Sequence, residues 1–164
     1  PLGYSNITLQ GGKIFGRVPY PLLKIHEGNG TYFYDPYAFS CMNFYEFASD
    51  AWVALFFEHH FNGVLLGRIP LVKKLKWREV LVCKGVWGTL SEENDGSLPG
   101  TQAPLLFPRG MSSVSAPYVE VGFGVENIFR LLRVDCIWRV THRDPKPGQD
   151  IQNFAVNLSM NLKF

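Results

Sequence analysis

The stretch from Ile151 to Phe164 constrains the fold of this chain most, because its residues separate into two classes by position. Phe154, Val156, Leu158, Met160, Leu162 and Phe164 are apolar, while Asn153, Asn157, Ser159, Asn161 and Lys163 are polar, with Ala155 small and neutral. Side chains alternate between faces along a strand, so this segment reads as a strand with one apolar and one polar face. A half-buried strand of a water-soluble sheet gives such alternation, and so does the wall of a membrane barrel. The other strands must choose.

Six further segments read as strands: Ser5–Phe15, Ala38–Ala48, Trp52–Val64, Trp77–Leu90, Tyr118–Glu126 and Arg133–Arg143. In the third, Glu58, His60 and Asn62 share a face opposite Val53, Leu55, Phe57 and Phe61; in the fourth, Lys84 and Arg78 share one. The next two match each other. Val119, Val121, Phe123 and Val125 oppose Tyr118, Glu120, Gly122, Gly124 and Glu126, and Val134, Cys136, Trp138 and Val140 oppose Arg133, Asp135, Arg139, Thr141 and Arg143. Folding about Asn127–Leu132 sets Glu126 beside Arg133, Glu120 beside Arg139, Val121 beside Trp138 and Val125 beside Val134, so both faces agree. No helical period of useful length intervenes. The chain reads as an all-β antiparallel meander, one segment over residues 1–164.

Three observations turn this meander toward a membrane. Aromatics are 15% and charged residues only 18% of a chain that is 46% hydrophobic, and the apolar faces recur with no second set of elements to cover them. The opposite faces carry mixed charge (Glu58, His60, Lys84, Glu120, Glu126, Arg133, Asp135, Arg139), as a wet or ion-paired lumen does. The connectors assign sides. With the last strand ending in the periplasm, counting back places Asn127–Leu132, Gly67–Lys76 and Arg17–Pro36 there, and Ser91–Pro117 and Asp144–Asp150 outside. Gly16-Arg17-Val18-Pro19 and Gly67-Arg68-Ile69-Pro70 then follow two strands running the same way. The expectation is the C-terminal part of a transmembrane β-barrel. Its lipid-facing residues would include Phe154, Val156, Leu158, Met160, Leu162, Val121 and Trp138. Seven strands is an odd number and puts Pro1 outside, so the barrel is expected to be incomplete and the chain a fragment.

A family resemblance supports this reading. Tyr32-Phe33-Tyr34-Asp35, Tyr45-Glu46-Phe47-Ala48-Ser49-Asp50, Phe57-Glu58-His59-His60-Phe61-Asn62-Gly63, Lys74-Leu75-Lys76-Trp77-Arg78-Glu79 and Gly124-Val125-Glu126-Asn127 together resemble one family. It is the C-terminal barrel portion, a domain of unknown function, of Gram-negative outer-membrane proteins with an N-terminal carboxypeptidase-regulatory-like domain. The resemblance implies an outer-membrane location and a surrounding of outer-membrane lipid. Further implied partners are the barrel-assembly machinery and other outer-membrane proteins, with Phe164 as the C-terminal assembly signal.

Catalysis is not expected. There is no Gly-x-Ser-x-Gly, no phosphate loop and no nucleophile–base pair. Glu58 and His60 share a face and Glu46 could join them, but a hydrogen-bonded luminal pair accounts for them without metal, and no cofactor is expected. Cys41, Cys83 and Cys136 lie in three separate strand candidates and read as small apolar wall residues. Net charge of +2 argues against nucleic acid. Transport, surface assembly or complex scaffolding is the expected role. One alternative is an insertase- or translocase-type barrel, for which Pro108-Arg109-Gly110 lacks the following aromatic. The other is a soluble lipocalin-like barrel that holds a lipophilic ligand on its apolar face and shows its charges to solvent.

Overall fold

The computed structural model describes residues 3–144 and 149–160. It is all-β with little helix. Nine strands are present among the described residues: β1 (Tyr4–Lys13), β2 (Lys24–Ile25), β3 (Phe47–Ser49), β4 (Ala51–His60), β5 (Arg78–Thr89), β6 (Ser112–Ser113), β7 (Tyr118–Ile128), β8 (Leu132–Arg139) and β9 (Phe154–Met160). One short helix, α1, spans Pro70–Leu75. Six strands form the main sheet in the order β1-β4-β5-β7-β8-β9, every neighbouring pair antiparallel. The sheet is open, with β1 and β9 at its edges. The small strands β2, β3 and β6 form a separate sheet in which β3 and β6 run parallel. No helix among the described residues is long and apolar enough to cross a membrane, which says nothing of strands.

The β7–β8 register is the one expected from matching faces: Glu120 pairs with Arg139, Val121 with Trp138 and Val125 with Val134. Beyond Val125 the register shifts, so the regular ladder does not carry Glu126 onto Arg133. Such an irregularity re-aims side chains locally.

The expected strand Ala38–Ala48 is not one; only Phe47 and Ala48 enter β3. The rest belongs to a strap, residues 14–46, that leaves β1 and crosses one face of the main sheet before β3 and β4. Phe39 and Met42 pack with Phe56, Val86 and Tyr118, and Cys41 packs with Ile137 and Ala155. We call the covered face inner and the opposite face outer. Tyr32 and Tyr34 exchange backbone bonds with Leu158 at the edge of β9, but residues 35–41 stay out of the ladder because buried charges bond their backbone instead. Ser40 and Cys41 donate their N–H groups to Glu120, and the Asp35 and Ala38 carbonyls accept from Lys84.

Losing that strand reverses a side assignment. β1 and β4 are antiparallel neighbours, so the strap joins the same end of the sheet as 90–117, 140–144 and 149–153. Residues 61–77 and 129–131 make the opposite end. Arg17–Pro36 therefore lies opposite Gly67–Lys76, not beside it, and the two Gly-Arg-x-Pro repeats follow strands of opposite direction. The main sheet has six strands among the described residues, not seven, and β1 starts at the end that carries 61–77 and 129–131.

Candidate functional site

The inner face of the sheet carries a continuous buried network of charged and polar groups. Alternation sets it up: Glu58 and His60 on β4, Lys84 on β5, Tyr118, Glu120 and Glu126 on β7, and Arg133, Asp135 and Arg139 on β8 all point the same way. All of them are buried except Glu58, which is half-buried. These include all eight residues expected to form the polar network, and the structure brings them together.

Three clusters follow one another. In the first, Arg133 Nε lies 2.8 Å from Asp135 Oδ2, and its Nη2 donates to Glu58 Oε1 at 2.9 Å. His60 Nδ1 meets Glu126 Oε2 at 3.0 Å, and its Nε2 lies 3.6 Å from Glu58 Oε2. Tyr4 stacks on the His60 ring at 4.5 Å. In the second, Glu120 accepts from Ser40 N at 2.8 Å, Cys41 N at 2.7 Å and Tyr118 Oη at 2.6 Å. Lys84 Nζ donates to the carbonyls of Asp35 and Ala38, each at 2.6 Å. In the third, Arg139 grips Glu46 with two nitrogens, at 2.5 and 3.1 Å, and lies 4.8 Å from the Tyr118 ring.

The ion pairs therefore differ from those expected. Glu120 and Arg139 are opposite in register, but Arg139 is neutralised by Glu46 from the strap and Glu120 by strap N–H groups. Arg133 is held by Glu58 and Asp135, and Glu126 by His60. Glu46, weighed as a third ligand beside Glu58 and His60, is held by Arg139 instead. Among the described residues, no three His, Cys, Asp or Glu side chains are grouped to hold a metal ion.

Sequence reasoning missed Tyr34. Its ring lies between two cations, 4.4 Å from Lys84 Nζ and 4.5 Å from Arg133 Cζ, and its hydroxyl donates to Glu58. Cation–ring attraction grows when both partners are desolvated. Burial and the Glu58 charge push its hydroxyl pKa up, so it stays a donor. Only its aromatic surroundings, Tyr32-Phe33-Tyr34, signalled it. Cys41 sits in the strap rather than in a strand of the sheet; burial, then Glu120, pushes its thiol up to about 12. Near the end of the sheet, buried His26 meets Ser49 Oγ at 3.0 Å, and burial followed by Lys24 brings it down to about 4.

The outer face is the mirror case. Val121, Trp138, Phe154, Val156, Leu158 and Met160 all lie on it and all are exposed, together with Ile7, Leu9, Leu55, Leu81, Trp87 and Phe123. His59, also outward, is hydrogen-bonded to Ser5 at 2.7 Å. The expected lipid-facing Leu162 and the expected signal Phe164 lie outside the described residues.

Fold and site define a class: an all-β protein whose antiparallel sheet buries charge on one face and bares large apolar side chains on the other. Residues 1–92, which carry β1, the strap, β4 and β5, match the model of the C-terminal domain of a family of unknown function, DUF5686. The chain belongs to that family. Comparison with curated proteins and with solved structures yields no match.

Proposed function

We propose that this chain forms wall strands of an outer-membrane β-barrel in a Gram-negative bacterium, with the 14–46 strap folded into the lumen, and that it serves transport, surface assembly or scaffolding rather than catalysis. The observation that carries this reading is the inverted sheet. Charges are buried on the inner face under the chain's own strap, while the outer face shows a contiguous field of Phe, Trp, Leu and Val. Soluble proteins rarely leave so large an apolar patch bare; a bilayer covers it and tolerates the inner charges only behind the wall. The two longest connectors, the strap and residues 90–117, lie at the same end, as in barrels with extended outer loops. The resemblance to outer-membrane proteins that carry an N-terminal carboxypeptidase-regulatory-like domain fits the same location. The lipocalin-like alternative would show the charges to solvent, and their burial favours the wall.

Adjacent residues of β1 supply the test. Leu9 faces outward and Gln10 inward. An Arg on the lipid face near the midplane costs roughly 2–4 kcal/mol. Leu9→Arg and Leu158→Arg should therefore be lost from the carbonate-washed membrane fraction, while the parent and Gln10→Arg stay in it. Equal partitioning of all the variants, or a parent recovered as a water-soluble monomer, refutes the wall.

A further inference from the structure

The end of the sheet formed by residues 61–77 and 129–131 carries a surface that the network does not use. Residues 61–77 hold Arg68, Lys73, Lys74 and Lys76 and no Asp or Glu, and the β7–β8 turn adds Arg130. All five cations are exposed, and none forms an ion pair among the described residues. Apolar side chains stand among them. Leu71 and Leu75, one helical turn apart on α1, share a face and are 81% and 53% exposed, and Phe129 in the turn is 83% exposed. The opposite end differs in its acids: Arg17, Lys24, Arg109 and Arg143 there stand among Glu27, Asp35, Glu46, Asp50, Glu92, Glu93, Asp95, Asp144 and Asp150.

The connector is fixed to the outer face rather than dangling from it. Glu79 shares the outward direction of Leu81 and Trp87, yet it is fully buried, because its Oε1 accepts N–H bonds from Leu65, at 2.8 Å, and from Leu66. Asn127 Nδ2 ties the Lys76 carbonyl to the neighbouring turn at 2.7 Å. Residues 65–76 thus sit beside the apolar face at its end, with cations and bare leucines in one layer.

We infer that this end docks on the phosphate-bearing headgroups of an anionic phospholipid leaflet, with Leu71, Leu75 and Phe129 dipping into the acyl boundary. Exposed cations without carboxylates recognise phosphate, and each is drawn to an anionic surface within a Debye length. Adjacent apolar side chains fit the layer just below the headgroups. The inference rests on the wall reading, which sets the bilayer against the outer face.

Nitroxide depth measurements on the full chain separate the two. Labels are placed at Leu71→Cys and, as a wall reporter, at Val156→Cys, with Cys83 and Cys136 replaced by alanine and the wholly buried Cys41 left in place. The protein is reconstituted into vesicles of phosphatidylcholine alone or of three parts phosphatidylcholine to one part phosphatidylglycerol. Accessibility to oxygen is then compared with accessibility to a water-soluble nickel chelate. The inference expects both labels to favour oxygen, with the Leu71 label moving deeper when phosphatidylglycerol is present. That movement should vanish in the variant Arg68→Gln, Lys73→Gln, Lys74→Gln, Lys76→Gln, Arg130→Gln while the Val156 label stays immersed. An immersed Val156 label with a Leu71 label that favours nickel in both vesicles, or is indifferent to phosphatidylglycerol, overturns the inference and leaves the wall standing. A Val156 label in water overturns both.

Discussion

Arg139 and Glu46 meet across 93 residues of sequence with both side chains 0% exposed, so cutting this pair tests the strap's attachment directly. Arg139→Met keeps an apolar stem but leaves the Glu46 carboxylate with one remaining hydrogen-bond partner, the backbone N–H of Asn43 at 2.9 Å. Removing one member of a buried pair costs roughly 3–5 kcal/mol, because the survivor is an uncompensated buried charge. Arg139 also loses its bond to the Cys41 carbonyl at 3.3 Å, which puts the single variant toward the upper part of that range. Adding Glu46→Gln removes the stranded charge, and the double variant should recover about half of the loss. Adding Glu120→Gln to Arg139→Met should recover nothing, since Glu120 is bonded by Ser40, Cys41 and Tyr118. Urea unfolding of the refolded protein in detergent micelles, with the parent, the Arg139→Met and Glu46→Gln single variants and the two double variants run together, reads these costs. Additive losses for Arg139 and Glu46, or rescue by Glu120→Gln instead, would refute the pairing argument.

Tyr34→Phe keeps the ring between Lys84 and Arg133 and loses only the bond to Glu58, about 1 kcal/mol. Tyr34→Ala should cost several times more and open the strap to limited proteolysis, whereas equal losses would mean that the hydroxyl alone matters. Gly124→Ala would overlap the Asp135 carboxylate, which is wholly buried against Arg133, and should cost about 1–3 kcal/mol in the same urea titration; a neutral effect would show that Asp135 has room to move. His26 is held down to about 4 from 6.5, so between those values the unfolded chain binds more protons and stability falls as pH falls. The contribution is fully present above pH 6.5 and is lost toward pH 4; the shift corresponds to about 3 kcal/mol. The melting temperature of His26→Gln should therefore depend less on pH in that window than the parent's, and parallel profiles would contradict it.

Alternation along β4, β7, β8 and β9 settled which side chains share a face, because a strand's two-residue period is local and survives any tertiary arrangement. It also placed Val121 opposite Trp138, since a one-residue slip would have put charge among the aromatics. It could not place Ala38–Ala48. That stretch has the composition of a strand, but its backbone bonds go to Glu120 and Lys84, residues on distant strands whose reach exists only once the sheet has formed. One misplaced strand then reversed the end assigned to Arg17–Pro36, because every antiparallel step inverts direction. Ion-pair partners failed for a related reason. Opposed signs in register suggested Glu120 with Arg139, yet a carboxylate takes whichever donors approach it buried and well oriented, and here the strap supplied both a rival acid, Glu46, and rival donors at Ser40 and Cys41. The sequence alone determined the two faces; the strap's path across one of them decided which charges meet.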